Sequence, residues 1–398
     1  GTQTLLATNR SEAAREEIVL RLLMNGEAED SVAVSGVTAD GQSVSARAEA
    51  DEPTVLRVAY DWQPGQTVEL SWTVMARHPK GDGASAVTLP VLALCTDGVW
   101  QTDAYDALAM PGCAEAFDVS LTLTAPDTAK AVFGPALIAQ SWETGVGETT
   151  YTAQMRGARD VSFALMSGGA LRQREVGGVL VSAMGKSVSE AKALLSCAEK
   201  ALESLEEAGF PYPLASLSLA QAEDALQDGE AYSGLALLSA QGKDEELTQR
   251  VTRLAARQTF GVLVGADAWN EPWLSRSLAA AAELLAYRAR RGEAAYEERY
   301  FETIDIASRL TRPAGVTVGA SVDRFGGDAE MTQVLRDQGA AMLMGIEEAV
   351  GREAFAQALA LYVSENAGQI ASREDVEAAL LAATGSSWSG YLEDELTF

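Results

Sequence analysis

The period of the hydrophobic pattern changes once, near residue 178, and that change limits the folds open to the chain. Up to about residue 177 the apolar residues alternate or run in short stretches: "EEIVLRLLMN", "SVAVSGV", "TVLRVAYDW", "TVELSWTVMA", "AVTLPVLAL", "FDVSLTLTAP", "TYTAQMRG" and "VSFALMS". Turn residues such as "DG", "QPGQ" and "APDT" separate them. A period of two places successive side chains on opposite faces of a strand, so this half predicts an antiparallel sandwich or open saddle. After "GGVLVSAM" (177–184) the steps become three and four: Val188, Ala191, Leu194, Leu195, Ala198, Leu202 and Leu205. They predict a helix over 187–208, capped by Ser187 or Ser189 and stopped by Gly209. A strand, "LASLSLAQA", follows "FPYP", and the pattern then predicts helices over 244–262, 273–292, 294–312, 328–349, 352–366 and 373–384, with a short one at the end. The fold class is therefore α+β. An N-terminal antiparallel β domain (1–177) precedes a second domain (178–398), first α/β and then all-helical from about 244. A chain of 398 residues exceeds one ordinary core, which agrees with this division.

One count constrains the chemistry more than any other: His78 is the only histidine. It sits in "ARHPKGDG", a turn-like stretch, and no site that needs two histidine ligands can be built from it. A Ser-His-Asp triad on His78 lacks the accompanying G-x-S-x-G elbow. The cysteines, Cys95, Cys113 and Cys197, form no C-x-x-C pair, and a Cys95–Cys113 disulfide is left open. The "GKS" tripeptide ending at Ser187 has Leu180 where a Walker loop needs its first glycine. The formal net charge of −27 repels phosphate backbones and anionic lipid, which argues against nucleic acid. No apolar run reaches the roughly 18 residues of a membrane span. The chain opens Gly1-Thr2 without methionine. The compartment stays open, and an exported or cell-surface protein whose signal or anchor was removed is compatible with that start.

Several strings stand in a telling order: "FPYP" before a strand, "GEAYSGL" (229–235), "RLAARQTFG" (253–261) and "FGVLVGADAWNEPWL" (260–274). Together they resemble the zinc aminopeptidase family of aminopeptidase N and leukotriene hydrolase, gluzincins of the HExxH-x18-E type. The tail from "DQGAAMLMGIEEAVGREAF" onward and the opening "TNRSEAAREEIVLRLLMN" resemble the same family. The resemblance spans essentially the whole chain. It implies an N-terminal β saddle and a thermolysin-like domain, and it stops where the family's large C-terminal helical domain would begin.

In that family two histidines at i and i+4 and a glutamate on the next helix hold Zn²⁺, and a glutamate after the first histidine is the general base. Carried over, the histidine positions fall on Arg253 and Arg257, the general base on Leu254 and the third ligand on Arg276. The tyrosine that stabilises the oxyanion falls on Arg336, and the glutamate that grips the substrate's amine falls on Ala231. Arginine keeps its proton and offers no lone pair, and leucine accepts no proton from water. The resemblance thus implies a catalytically inactive, peptidase-like protein with no zinc and no other cofactor. Its four arginines, Arg253, Arg257, Arg276 and Arg336, then form a candidate anion site for a peptide carboxylate or another small anion. The competing expectation is neutralisation from within, with Asp267, Glu271 and Asp337 as the nearest carboxylates in sequence. Two further readings stay open: a structural or partner-docking domain of a larger cell-surface assembly with a vestigial cleft, and a metal-independent hydrolase. Trp269 and Trp273 read as core or loop anchors.

Overall fold

The computed structural model describes residues 1–28, 30–77, 85–96, 98–109, 114–143, 146–223, 225–306, 309 and 316–397. The single histidine, His78, and Cys113 lie outside the described residues; Cys95 carries a free thiol.

The N-terminal part is antiparallel throughout. One four-stranded sheet runs in the order Thr2–Thr8, Thr67–Ala76, Val32–Ala39, Gln42–Ser43, and another in the order Ala46–Ala48, Val55–Trp62, Arg15–Arg21, Val91–Leu92. Thr67–Ala76 displays the two-residue period directly: Val68, Leu70, Trp72 and Val74 are buried, while Thr67, Glu69 and Thr73 face out. They meet Ile18, Leu20, Val58 and Trp62 from the facing sheet in one core, which extends to Phe133, Tyr151 and Phe163 of the following strands.

A five-stranded mixed sheet follows, ordered Ala170–Val176, Val179–Gly185, Ser216–Gln221, Leu235–Leu238, Glu230–Tyr232. Its inner pairings are parallel and its outer ones antiparallel. The strand Ala170–Val176 was assigned above to the N-terminal domain. It belongs to this sheet, because a tight turn at Gly177-Gly178 folds it back onto Val179–Gly185. Helix α1 (Val188–Glu207) connects the first parallel pair; Ser187 caps it by accepting from the Glu190 amide, and Gly209, at φ +91°, follows its end.

Three helical runs depart from the simple 3.6-residue period. Helix α2 (Asp244–Arg257) continues into a π-helical turn, Gln258–Leu263. The run expected over 294–312 is α-helical over Glu293–Arg299 and π-helical over Tyr300–Asp305. The run expected over 328–349 contains a π-helical turn at Gln333–Gln338. Helix α3 (Trp273–Arg291) is buried almost all round from Trp273 to Ala286, as a central helix rich in alanine and leucine must be. Trp273 is in its core and Trp269 packs against that core, as anchors do.

The two halves meet backbone to backbone. A Cβ on Gly234, at φ +73°, would sit 2.2 Å from the Gly134 carbonyl oxygen, and one on Gly134 would sit 2.1 Å from that of Ser233. Only glycine permits this approach. Around it Asp160 Oδ2 accepts from the amide and hydroxyl of Ser233 at 2.7 and 2.8 Å, and Gln258 Oε1 accepts from the Gly234 amide at 2.8 Å. The loop 229–235 is therefore fixed from both sides.

Candidate functional site

Residues four apart share a helix face, so α2 presents Arg253 and Arg257 together at its C-terminal end. Arg276 enters from the first turn of α3 and Arg336 from the π-helical turn 333–338. The structure brings all four into one region, but it serves them unequally.

Arg253 is 7% exposed and paired with two carboxylates. Its Nε donates to Asp228 Oδ1 at 2.8 Å, its Nη2 lies 2.6 Å from the same oxygen, and its Nη1 donates to Glu283 Oε2 at 3.3 Å. Arg299 grips the same Glu283 with both Nη atoms, at 2.8 and 2.6 Å. Arg336 is clasped by its neighbour Asp337 at 2.6 and 2.9 Å and reaches Asp228 at 3.9 Å. Burial alone would lower Arg253, but Asp228 and Glu283 outweigh it and hold the guanidinium above its ordinary value. Burial likewise pushes Asp228 up, and Arg253, Arg336 and Arg276 overcome it to hold the carboxyl below the usual range.

Among the described residues, Arg257 and Arg276 have no such partners. Arg276 is 8% exposed and donates from Nη2 to the Leu108 carbonyl at 2.8 Å. Arg257 is 7% exposed, and its Nη1 is buried without a hydrogen bond to any of the described residues. Burial pushes Arg257 down to about 9, with Arg276 adding to the fall and Asp228, Glu230 and Tyr232 opposing it. It therefore stays charged at neutral pH. Arg276 is pushed down as well, by burial, against Asp228, Asp328 and Glu230. Both line a cavity of about 30 Å³, walled by Leu108, Ala231, Val262 and the pair Arg159-Asp160. Beside it Glu230 accepts from Tyr232 Oη at 2.8 Å, and burial pushes its carboxyl up.

The remaining positions read from the sequence are also placed. Leu254 is fully buried, and its Cδ1 stands 2.8 Å from where a Cβ on Gly229 would be. Ala231 lies in the strand Glu230–Tyr232. Of the three carboxylates expected to neutralise the arginines, Asp337 does so. Asp267 instead accepts from the amides of Trp269 and Asn270 and from Gln101, capping a turn. Glu271 makes no ion pair with any of the four arginines, and burial pushes its carboxyl up.

The two buried acids that hold Arg253, Asp228 and Glu283, were missed. Asp228 immediately precedes "GEAYSGL", and Glu283 follows Arg276 by two helical turns, so both carried a positional signal. Arg159 was also missed; it binds the carbonyls of Val262, Ala114 and Gln369 at 2.7, 2.8 and 2.7 Å. Among the described residues no group of three or more His, Cys, Asp or Glu is arranged to hold a metal ion. No helix among them is long and apolar enough to cross a membrane.

Comparison with known proteins places this architecture. Residues 236–393 match the Peptidase family M1 domain. The fold, an antiparallel β region followed by a helical region, is that of the M1 zinc metallopeptidase from Deinococcus radiodurans. The TM-score is 0.72 at 18% identity, over 100% of this chain and 89% of that one. A mutant two-domain M1 zinc metallopeptidase bound to L-arginine superposes with a TM-score of 0.73 at 18% identity, over the same shares. Aminopeptidase M1-B of Oryza sativa subsp. japonica is 26% identical over 219 residues, 51% of this chain. The chain matches only 25% of that relative's length.

Proposed function

We propose that this chain, an M1-type peptidase in its fold and in the sequence of residues 236–393, is catalytically inactive and uses the corresponding cleft to hold an anion. The donor chemistry supports the first half. A zinc site needs lone pairs from histidine, thiolate or carboxylate. Arg253, Arg257 and Arg276, at the positions the resemblance assigns to the ligands, carry only N–H donors. The nearby carboxylates Asp228 and Glu283 are already spanned by Arg253, Arg299 and Arg336. Leu254, packed under Gly229, has neither the group nor the space to act as a base. Zinc does not fit this set of side chains, and no step is derived through it.

One observation carries the second half: Arg257 is buried, forms no ion pair among the described residues, and stands beside a second buried guanidinium. Such a charge is costly unless an anion neutralises it. The cavity size favours a small anion over a peptide, since ligand pockets for larger molecules run to roughly 300–1,000 Å³ and this one is about 30 Å³.

The test is metal content together with turnover. The purified protein, with and without added Zn²⁺, should hold no stoichiometric metal and release nothing from aminoacyl-coumarin substrates. Stoichiometric zinc, or chelator-sensitive turnover, would overturn the reading.

A further inference from the structure

Resting on that reading, we propose that the anion is a single monovalent ion of halide size, held between Arg257 and Arg276. The charges around it select the place. Asp228, Glu283 and Asp337 are engaged by Arg253, Arg299 and Arg336 through contacts of 2.6 to 3.3 Å. Arg276 spends one Nη on a neutral carbonyl, and the buried Nη1 of Arg257 meets no acceptor among the described residues. Of the four arginines, the two that lack a close carboxylate among the described residues are the two that line this cavity, where Arg159 also stands with donors given to backbone carbonyls.

The space selects the size. About 30 Å³ is roughly two to three times the minimum that admits one water. A halide fits within such a space, and a peptide chain does not. The walls select the charge. Leu108, Ala231, Gly261, Val262 and Ala266 offer no side-chain donors, Arg159 gives its own to the carbonyls of Val262, Ala114 and Gln369, and Ser275 donates its hydroxyl to the Pro272 carbonyl at 3.3 Å. A polyvalent oxyanion would leave most of its acceptors unmet there. Asp160, on the same wall, accepts from Ser233, and burial pushes its carboxyl up, which lessens its repulsion of an anion.

Bromide is the probe. Crystals of the wild-type protein soaked in sodium bromide should show one ordered anomalous peak between the Arg257 and Arg276 guanidiniums. In solution, exchanging potassium gluconate for potassium bromide at equal ionic strength should raise the melting temperature. That rise should vanish in Arg257→Met and in Arg276→Met, while sulfate and citrate should produce none beyond their general salt effect. Absence of the wild-type peak overturns the assignment without depending on either variant's folding. A bromide-dependent rise that survives in both variants, or an equal, variant-sensitive rise with citrate, overturns it too. Zinc or turnover would defeat the inactive reading whether or not bromide binds. With neither found and no bromide at the site, only the halide assignment falls.

Discussion

Replacing Arg257 with methionine should make the protein more stable, which is an unusual expectation for a buried residue. At neutral pH the guanidinium is charged in both the folded and unfolded states. Its fall from the ordinary arginine value to about 9 therefore corresponds to roughly 5 kcal/mol of destabilisation on folding. The sign follows from the direction of the shift: a base held low in the folded state costs stability at every pH below its folded value. That cost diminishes as pH rises above about 9. Methionine keeps most of the stem and removes the charge. It gives up the guanidinium's packing contacts, at about 1–2 kcal/mol. The net gain should be about 3 kcal/mol, or about 6–12 °C in melting temperature for a domain of ~200 residues. The assay is urea and thermal denaturation in gluconate buffer at pH 7. Bromide should narrow the gap by stabilising the wild type alone. The counterpart one turn earlier should behave oppositely: Arg253→Met strands Asp228 and loosens Glu283, and should cost about 3–5 kcal/mol. If Arg257→Met proved less stable than wild type in bromide-free buffer, the reasoning from an unmatched charge would be refuted.

Two other substitutions probe the same region. Asp228→Asn should cost about 3–5 kcal/mol, because it leaves Arg253 and Arg336 facing each other. Asp228 is held low in the folded state, so its stabilisation is present above the ordinary carboxylate range and is lost as pH falls through the folded value. A stability–pH profile of Asp228→Asn should be flatter over that acid window, and an unchanged slope would contradict this. Leu254→Glu should cost about 3 kcal/mol or more, since it drives a carboxylate into the contact with Gly229. A neutral urea midpoint would mean that this helix face is not the packed one.

Much of this was readable from the chain because local chemistry decides it. The alternation of Val68, Leu70, Trp72 and Val74 gave the strand and its inward face, and Ser187 and Gly209 bounded α1. The order of "GEAYSGL", α2 and "DAWNEPWL" placed Arg253, Arg257, Arg276 and Ala231 in one neighbourhood. What stayed hidden depends on three-dimensional approach. Asp228 and Glu283 are 25 and 30 residues from Arg253, and nothing in periodicity distinguishes them from the chain's other acids. Arg276 binds the carbonyl of Leu108, an acceptor every residue possesses. The return of Ala170–Val176 into the mixed sheet turns on a two-glycine hairpin that equally suits a link between domains. The π-helical turns leave no mark on a 3.6-residue pattern until the side chains around them are packed.

Those turns have a consequence for how the chain tolerates change in length. A π-helical turn carries one more residue per hydrogen-bonded loop than an α-helical turn, so each acts as an insertion absorbed within a helix. One lies directly after Arg257 and another contains Arg336. Deleting one residue within 333–338 would let that turn relax to α and leave the helix beyond it in phase, whereas a deletion in a regular α-helical stretch would rotate everything beyond by about 100°. The first turn ends its helix, since Val264 is extended. Downstream of the second stands Gly339, whose missing side chain leaves room for Ser277, 2.1 Å from where its Cβ would be. The second window can therefore lose one residue without moving the contacts on its far side, while its buried side chains Val334 and Leu335 tie its packing down.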